Sequence, residues 1–323
     1  MTAVERLDVS RFADRFAGIA DNIERVIQGK RPPIEQLLTC LIAEGHVLIE
    51  DVPGVGKTLL AKSLARSIDC EFNRIQFTPD LLPSDVTGVS IWDRQESAFV
   101  FKPGAIFANI VVGDEINRAS PKTQAALLEA MEERQVTTDG KTKLLPEPFM
   151  VVATQNPIEH EGTYPLPEAQ LDRFMMRVSV GYPSRDKELE MLETHSLRST
   201  FEVLAPVVSA REVGAMIEIA RRVEVVPAVR SYIIDIVEGT RRHPEVLLGA
   251  SPRSALYLQK ASRARAASEG RDYVTPDDIK TLAGSVLEHR LAFRPEAQMR
   301  GVTSGELIAS VLGSTRIPIH RTS

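Results

Sequence analysis

The alternation of apolar and polar positions divides the chain into a first part that mixes helices with strands and a second part that is helical alone. Apolar residues at helical spacing over 9–27 predict an amphipathic helix, and Pro32-Pro33 opens a second helix that ends near Gly45. Short continuous apolar runs then predict strands that are buried on both faces of a parallel sheet. These strands are expected at 47–49, 72–77, 106–113, 149–153 and 176–180, with helices at 59–68, 121–134, 167–174 and 184–196.

Two polar stretches among these elements predict β-hairpins. In the first, the β-prone runs 89–92 and 98–101 flank a polar tip at 94–96, a pattern that does not suit one long helix. In the second, Asp139-Gly140 lies inside 137–145 and is a strong signal of a type I′ turn. We therefore expect a hairpin at each place.

From residue 209 onward the pattern is typical of helices only. Thr275 stands before Pro276 and two acids, which is typical of a capped helix start, and Ser251-Pro252 opens an earlier helix in a similar way. The helices are expected near 209–221, 230–241, 252–268 and 276–289.

The change of pattern predicts a domain boundary near Ala205-Pro206. A length of 323 residues suits about two domains. We expect an α/β domain over 1–204 and a helical domain over 205–323. Periodicity weakens after Arg294, so little regular structure is expected in the tail.

Composition and charge then narrow the class of protein. Hydrophobic residues make up 43% and charged residues 26% of the chain, as in a soluble globular protein. The net charge of −5 argues against a protein whose main function is to bind nucleic acid. A local basic surface stays compatible with that charge. Cys40 and Cys70 form no C-x-x-C motif, which favours a reducing compartment, and we expect the cytoplasm. No signal-peptide pattern and no apolar run of about 20 residues is present, so no membrane span is expected.

The strongest chemical motif follows the strand at 47–49 and reads Glu50-Asp-Val-Pro-Gly-Val-Gly-Lys-Thr. Strand, glycine-rich turn and helix together are the context of a P-loop, whose backbone N–H groups hold phosphates at the positive end of the helix. Lys57 would reach the β- and γ-phosphates, and the Thr58 hydroxyl would bind Mg²⁺. The candidate nucleotide-binding residues are Pro53, Gly54, Val55, Gly56, Lys57, Thr58 and Leu59.

One position departs from the general pattern G-x-x-x-x-G-K-[ST]. Asp51 stands where the first glycine is usual. A carboxylate near a phosphate is repulsive unless it points away, so we expect Asp51 to face outward or to cap a neighbouring N–H. The alternative interpretation is an ordinary Gly-rich turn beside an exposed lysine, and the flanking strand and helix count against it.

A second motif consists of two acids at the end of the apolar strand before residue 114. Asp114 and Glu115 would be adjacent carboxylates at a buried strand end, where unpaired charge is costly. A phosphate-bound Mg²⁺ and an attacking water would supply the partners, with Asp114 holding the metal and Glu115 acting as general base. The alternative is a strand end that turns into solvent.

Asn156 follows the buried strand at 149–153. Ligands of open parallel sheets bind at the carboxyl ends of the strands, so Asn156 can hydrogen-bond the attacking water or the γ-phosphate. The alternative is a turn-forming asparagine before a proline.

Three arginines are candidates for contact with phosphate or a neighbouring subunit. Arg173 precedes the last strand, and its alternative is an ion pair with Asp172 or Glu168. Arg253 lies in the first turn of a helix of the second domain and could lean across a cleft to the phosphates, or simply be solvated. Arg118 follows the two acids and could face a neighbouring subunit.

Taken in this order, the motifs resemble those of an AAA+ ATPase, and their amino-acid sequences are similar to those of the MoxR family. The sequence segments that carry the resemblance are Asp114-Glu-Ile-Asn-Arg-Ala, Ala125-Ala-Leu-Leu-Glu-Ala-Met-Glu-Glu, Thr154-Gln-Asn-Pro-Ile-Glu and Gly162-Thr-Tyr-Pro-Leu-Pro-Glu-Ala-Gln-Leu-Asp-Arg-Phe. The resemblance covers the chain from about residue 15 to 293. It implies an α/β P-loop AAA+ core with a parallel sheet, followed by an all-helical lid domain.

The resemblance also implies roles for single residues. Lys57 and Thr58 match Walker A, Asp114 and Glu115 match Walker B, Asn156 matches sensor 1, Arg173 the arginine finger and Arg253 sensor 2. The two hairpins match the insert in helix 2 and the insert before sensor 1 of this branch of the family.

For function, the resemblance implies a chaperone-like ATPase that uses ATP and Mg²⁺ and forms a homo-hexameric ring. Family members often work with a protein carrying a von Willebrand factor A domain, and they help to insert metals or cofactors into client proteins. Two alternatives stay open: a chelatase-type motor subunit, which differs in its client, and a nucleic-acid-associated AAA+ motor, which the acidic net charge disfavours. DNA-stimulated ATPase activity would favour the latter.

Overall fold

The structure is a computed structural model that describes residues 3–156, 163–194, 201–202 and 204–318. Within these ranges, side chains are described everywhere except at 3–8 and 190–194. The α-helices are α1 (Ala3–Glu24), α2 (Arg31–Ile42), α3 (Lys57–Ser67), α4 (Pro83–Thr87), α5 (Pro121–Glu133), α6 (Glu168–Leu171), α7 (Arg185–Thr194), α8 (Ala210–Arg222), α9 (Pro227–Arg242), α10 (Pro252–Ser268), α11 (Pro276–Leu287), α12 (Pro295–Met299) and α13 (Ser304–Ser314). The strands are β1 (Val47–Glu50), β2 (Phe72–Gln76), β3 (Gly88–Asp93), β4 (Ala98–Pro103), β5 (Ile110–Asp114), β6 (Gln135–Thr138), β7 (Lys141–Leu144), β8 (Met150–Gln155), β9 (Met176–Val178), β10 (Val246–Leu248) and β11 (Ala292–Phe293). The 3₁₀ turns are Ile116–Arg118 and Glu288–Arg290.

The central sheet has five strands in the order β2-β5-β8-β1-β9, and each neighbouring pair is parallel. Val47 lies opposite Val152 on one side and Met176 on the other, while Gln76 lies opposite Asp114. All strands therefore end at one side of the sheet, which we call the carboxyl edge, and begin at the other, the amino edge. The predicted parallel sheet is confirmed.

Helices cover both faces of this sheet. Val47 and Ile49 pack into a buried cluster that includes α1, α2 and α3, while Leu48 between them packs into a second cluster with α5. Successive side chains of a strand point to opposite faces, so a continuous apolar run is what a doubly covered strand requires. The first cluster continues into the helices α8 to α11 and α13, which links the lid to the face that carries α1 and α2.

Both predicted hairpins are present. β3 pairs with β4 and β6 pairs with β7, each antiparallel. Asp139 and Gly140 have φ of 52° and 70°, the positive values that a type I′ turn needs at its two central positions.

The four predicted lid helices correspond to α8, α9, α10 and α11. Two of them begin with reciprocal capping boxes, Ser209 with Glu212 and Thr275 with Asp278, so that the first-turn N–H groups are satisfied. The helical lid is confirmed, and a short antiparallel pairing of β10 with β11 is added to it. Within the described residues, no helix is both long and apolar enough to cross a membrane.

The expectation of little regular structure after Arg294 is wrong. The tail forms α12 and α13, and Thr303 caps α13 in a box with Glu306. Leu307 and Val311 are buried in the lid cluster, so packing against the other lid helices stabilises this helix. The sequence does carry a local signal for this helix, since Thr303-x-x-Glu306 is a capping-box pattern directly before Leu307.

The segment between the two predicted domains runs along α3. The Arg66 guanidinium donates to the carbonyl of Leu204 at 2.6 Å, and the N–H of Val207 donates to the carbonyl of Ser67 at 2.9 Å. The helix expected at 184–196 is described as α7, and its last two positions lie outside the described residues. The division at 204/205 stays a prediction.

Candidate active site

The P-loop joins β1 to α3 at the carboxyl edge of the sheet. Gly54 and Gly56 have φ of +86° and +88°, a left-handed conformation that side chains rarely tolerate. Gly56 is the N-cap of α3, and no side chain caps that helix start. The first N–H groups of α3 therefore point into the loop together with the positive end of the helix, which is an arrangement suited to an anion.

Asp51 does not face the P-loop helix. Its carboxylate is nearly buried and accepts hydrogen bonds from the N–H groups of Val180 and Gly181 and from the hydroxyl of Ser179. The expectation that Asp51 caps a neighbouring N–H is confirmed. Its carbonyl accepts a hydrogen bond from the Lys57 ammonium at 2.7 Å, which tethers the lysine to its own loop.

Asp114 connects three elements at the same edge. The Thr154 hydroxyl donates to its Oδ1 at 2.6 Å, and the Thr58 hydroxyl donates to its Oδ2 at 3.3 Å. The guanidinium of Arg74 also donates to Oδ2, from Nη2 at 2.6 Å and from Nε at 3.0 Å. The structure thus brings the two predicted metal ligands, Thr58 and Asp114, into direct contact.

Glu115 is held in a strained backbone conformation. Its φ of 57° lies in the left-handed region, which costs a non-glycine residue on the order of 1–2 kcal/mol. Its N–H donates to the Thr154 hydroxyl at 3.0 Å, and its carboxylate lies 3.1 Å from Gln76 Nε2 and 3.2 Å from Arg118 Nε. The strained turn and these contacts aim the Glu115 side chain along the carboxyl edge, and Arg118 contacts it within the same chain.

Asn156 lies at the same edge, directly after β8, and is 6% exposed. β8 is the neighbour of both β1 and β5 in the sheet, so Asn156 follows the strand that lies between the P-loop and the two acids. The structure therefore places Asn156 at the same edge of the sheet as Lys57, Thr58 and Asp114.

The two remaining arginines lie at the opposite edge. Arg173 Nε is 3.1 Å from Glu132 Oε2, and Arg253 Nη2 donates to the other oxygen of Glu132. Glu132 is near the end of α5, which starts at the carboxyl edge and runs back over about 20 Å. Met175, two residues after Arg173, donates its N–H to the carbonyl of His46 just before β1. Both arginines are thus at the amino edge.

The expected approach of Arg253 to the phosphates of its own chain is therefore wrong. The physical reason is the way the lid packs, because α10 lies against α1, α2 and α8 with its first turn at the amino edge, while the P-loop follows β1 at the carboxyl edge. The alternative partners considered for Arg173 are wrong as well, since its carboxylate partner is Glu132.

A buried ion pair fixes the lid beside these arginines. Asp172 accepts a hydrogen bond from Arg290 Nε at 2.9 Å and from the Ser251 hydroxyl at 3.0 Å. Arg290 is 5% exposed, and burial lowers the pKa of its guanidinium while Asp172 acts in the opposite direction. The Tyr257 hydroxyl adds a hydrogen bond to the carbonyl of Arg173 at 3.3 Å. The amino ends of α10 and β9 are therefore joined independently of Glu132.

Sequence reasoning missed several of these residues. Arg74 and Gln76 are polar residues two positions apart on β2, and Thr154 stands two positions before Asn156, so alternation along each strand could have placed them at the carboxyl edge. Glu132 gave no such signal, because it is one of several acids on an exposed helix surface.

Two protein families match the chain. The family described as "ATPase family associated with various cellular activities (AAA)" matches residues 46–176, which span the P-loop, both acids, Asn156 and Arg173. The family described as "AAA lid domain" matches residues 238–311, which include α10, α11 and most of α13.

Relatives match along nearly the whole chain. The uncharacterized protein YeaC of Bacillus subtilis (strain 168) is 49% identical over 303 residues, which are 94% of this chain and 95% of that protein. Chaperone MoxR1 of Mycobacterium tuberculosis is 41% identical over 305 residues, covering 92% of this chain and 80% of that protein. Protein MoxR of Methylorubrum extorquens is 30% identical over 311 residues, 89% of this chain and 90% of that protein. A Cytophaga hutchinsonii protein whose crystal structure was described as that of a candidate ATPase has a TM-score of 0.90 and 38% identity, with 96% of this chain and 97% of that chain covered.

Proposed function

This chain belongs to the MoxR family of AAA+ ATPases, and on that premise we propose that it hydrolyses ATP at the carboxyl edge of its sheet to remodel client proteins in the manner of a chaperone. The observation that carries the proposal is the meeting of the P-loop, Thr58, Asp114, Glu115 and Asn156 at one edge. Each of these groups suits a separate part of phosphoryl transfer.

The donor set fits a magnesium nucleotide. The uncapped start of α3 offers N–H groups to phosphate, and Lys57 adds a positive charge to the same loop. Hard oxygen ligands suit Mg²⁺, and Thr58 Oγ1 and Asp114 Oδ2 lie 3.3 Å apart. Bound there, Mg²⁺ would supply neutralisation of phosphate charge. Residues 53–59 would hold the phosphates of ATP, and Thr58 and Asp114 would hold the metal.

Glu115 would act as the general base. A carboxylate at the carboxyl edge can accept a proton from a water that attacks the γ-phosphate, and Asn156 can hydrogen-bond that water or the phosphate. Gln76 and Arg118 now contact the Glu115 carboxylate, so one of these contacts must give way when water takes its place.

Arg173 and Arg253 would serve a different copy of the chain. They lie at the amino edge, so they can reach a γ-phosphate only if a second subunit brings its carboxyl edge against them. A head-to-tail contact of this kind closes into a ring, and six copies is the number that the family resemblance implies. The partner with a von Willebrand factor A domain, the insertion of metals or cofactors into clients and a cytoplasmic location belong to this same proposal.

The test is the variant Glu115→Gln, which keeps the shape of the side chain and removes the base. We expect near-normal binding of a fluorescent ATP analogue and very slow phosphate release, because geometry is kept and proton acceptance is lost. The matched control is Glu96→Gln at the exposed tip of the β3–β4 hairpin, which should hydrolyse ATP like the wild type. Near-normal turnover of Glu115→Gln would overturn the assignment.

A further inference from the structure

One carboxylate holds both arginines at the amino edge. Glu132 Oε2 lies 3.1 Å from Arg173 Nε, and Oε1 accepts a hydrogen bond from Arg253 Nη2. We propose that Glu132 is a positioning residue that holds the two guanidinium groups side by side, so that they meet one phosphate of the adjoining subunit as a unit. This inference rests on the proposed function.

The charges explain why such a residue is needed. Two guanidinium groups that must approach the same phosphate repel each other, and in the absence of an anion they would turn apart. A carboxylate between them offsets that repulsion and fixes their separation, because Oε1 accepts a hydrogen bond from Arg253 and Oε2 forms an ion pair with Arg173. The trio of Glu132, Arg173 and Arg253 keeps a net positive charge.

Donors remain for a phosphate. Arg173 contacts Glu132 through Nε and Arg253 through one terminal nitrogen, and among the described residues neither guanidinium has another side-chain partner. Each arginine therefore keeps terminal N–H groups that can turn toward an incoming phosphate while Glu132 holds the other side.

The three residues come from three separate elements. Glu132 is on α5, Arg173 lies between α6 and β9, and Arg253 is in the first turn of α10. The two segments that carry the arginines are already joined through a hydrogen bond from the Ser251 hydroxyl to the Asp172 carboxylate. Glu132 thus adds little to holding the lid in place, and its contribution falls on the orientation of the two side chains.

Exposure points to the same conclusion. The side chains of Glu132, Arg173 and Arg253 are 33%, 31% and 36% exposed. Ion pairs as open as these stabilise a fold only weakly, so stability does not account for a carboxylate that holds two arginines at once. Their exposure leaves them accessible to another subunit.

The test measures steady-state kinetics of Glu132→Ala and Glu132→Gln in the full-length protein. We expect kcat to fall about tenfold to a hundredfold, because misplaced catalytic groups cost rates of that order. The KM for ATP should stay within about twofold, since the P-loop lies at the opposite edge and its geometry is untouched. The control variant is Glu129→Ala, one turn earlier on the same helix and exposed, which should keep the wild-type kcat.

Mixing variants distinguishes positioning from a structural role. Lys57→Ala subunits have a defective P-loop and intact arginines, so they should restore activity to Glu132→Ala sites in mixed assemblies, confirmed with two affinity tags. Arg173→Ala mixed with Lys57→Ala serves as the reference. Suppose that activity of the Arg173→Ala reference is restored in mixed assemblies. The inference about Glu132 is then wrong if Glu132→Ala alone has a normal kcat, or if Glu132→Ala is inactive and mixing with Lys57→Ala does not restore its activity. If the reference itself is not restored in mixed assemblies, the trans arrangement of the proposed function fails and the inference falls with it.

Discussion

The two edges of the central sheet hold their charged groups in different ways. At the carboxyl edge, Asp114 is 9% exposed and accepts hydrogen bonds from Thr154 on β8 and Arg74 on β2, the two strands beside its own. At the amino edge, Glu132, Arg173 and Arg253 are each about one-third exposed and pair with one another across three elements. A buried group is fixed by its own chain, whereas a half-exposed pair can exchange its partner for one on another molecule.

This difference has a consequence for assembly. The carboxyl edge collects groups suited to holding phosphates, and the amino edge collects cations that cannot reach those phosphates within one chain. Under the proposed function, a complete site forms only where the carboxyl edge of one subunit meets the amino edge of the next.

Arg173→Ala should have the largest effect, because it removes a cation of the amino edge and leaves the phosphate-binding groups of the carboxyl edge intact. An arginine that contacts a transferring phosphoryl group is worth about 10³–10⁵ in kcat in well-studied NTPases, so hydrolysis should nearly stop. ATP binding should remain, because the P-loop is on the other edge of the same subunit. The measurement is phosphate release beside equilibrium binding of a fluorescent ATP analogue, with Arg94→Ala at the exposed β3–β4 tip as the control. Loss of binding together with hydrolysis would place Arg173 at the site of its own chain.

How well each edge could be predicted from sequence follows from the same difference. At the carboxyl edge, Asp114 ends an apolar strand, Asn156 directly follows one, and Lys57 ends the glycine-rich loop after a third, so a local pattern predicts both the strand and the group beyond it. At the amino edge, residues 132, 173 and 253 meet only after the lid has packed against α1 and α2, and no local pattern reports that packing.

The last helix of the lid differs from the amino edge in this respect. Helix α13 begins with a capping box of Thr303 and Glu306 and buries Leu307 and Val311, which stand four positions apart. The expectation of little regular structure in the tail therefore overlooked a local signal that the sequence contains.

Asp51→Ala tests how much a buried carboxylate at the carboxyl edge contributes to the free energy of unfolding. Removing this carboxylate leaves the N–H groups of Val180 and Gly181 without their acceptor, which should lower the free energy of unfolding by roughly 3 kcal/mol. Glu132→Ala, which breaks half-exposed pairs, should cost about 1 kcal/mol or less. Urea denaturation of the two variants gives the comparison, and equal losses would show that the edges are stabilised alike.

His46 makes the stability of the amino edge depend on pH. Burial, and then the nearby Arg134, lowers the pKa of His46 to about 3. Its Nδ1 accepts from the N–H of Val151 and its Nε2 donates to the carbonyl of Met131, so the folded state requires the neutral ring. The unfolded chain binds a proton below pH about 6.5, and the folded chain does not. Stability should therefore fall as the pH drops from about 6.5 toward 3.

The measurement for His46 is the unfolding free energy as a function of pH, compared with His46→Asn, which keeps an acceptor for Val151 and cannot titrate. The wild type should lose about 1.4 kcal/mol more per pH unit than the variant well below pH 6. Burial also lowers the pKa of His289 well below its usual value, so the comparison with the variant is needed to isolate His46. Parallel curves would contradict the assignment.

Arg74→Ala should produce the smallest effect. It tests whether Asp114 at the carboxyl edge can exchange its arginine partner for a bound metal ion. Arg74 is half exposed and donates two hydrogen bonds to Asp114 Oδ2, the same oxygen that faces the Thr58 hydroxyl. If Asp114 holds Mg²⁺, Arg74 competes with the metal, and its removal should lower the Mg²⁺ concentration needed for half-maximal binding of an ATP analogue. An exposed ion pair is worth about 0.2–1 kcal/mol, so the change should be only a few-fold, with kcat at saturating Mg²⁺ nearly unchanged. Arg74→Lys keeps the charge but cannot donate in the same two-pronged way, and should lie between the wild type and the alanine variant. A hundredfold loss of kcat would instead make Arg74 part of the catalytic machinery, and the carboxyl edge would then depend on a half-exposed arginine just as the amino edge does.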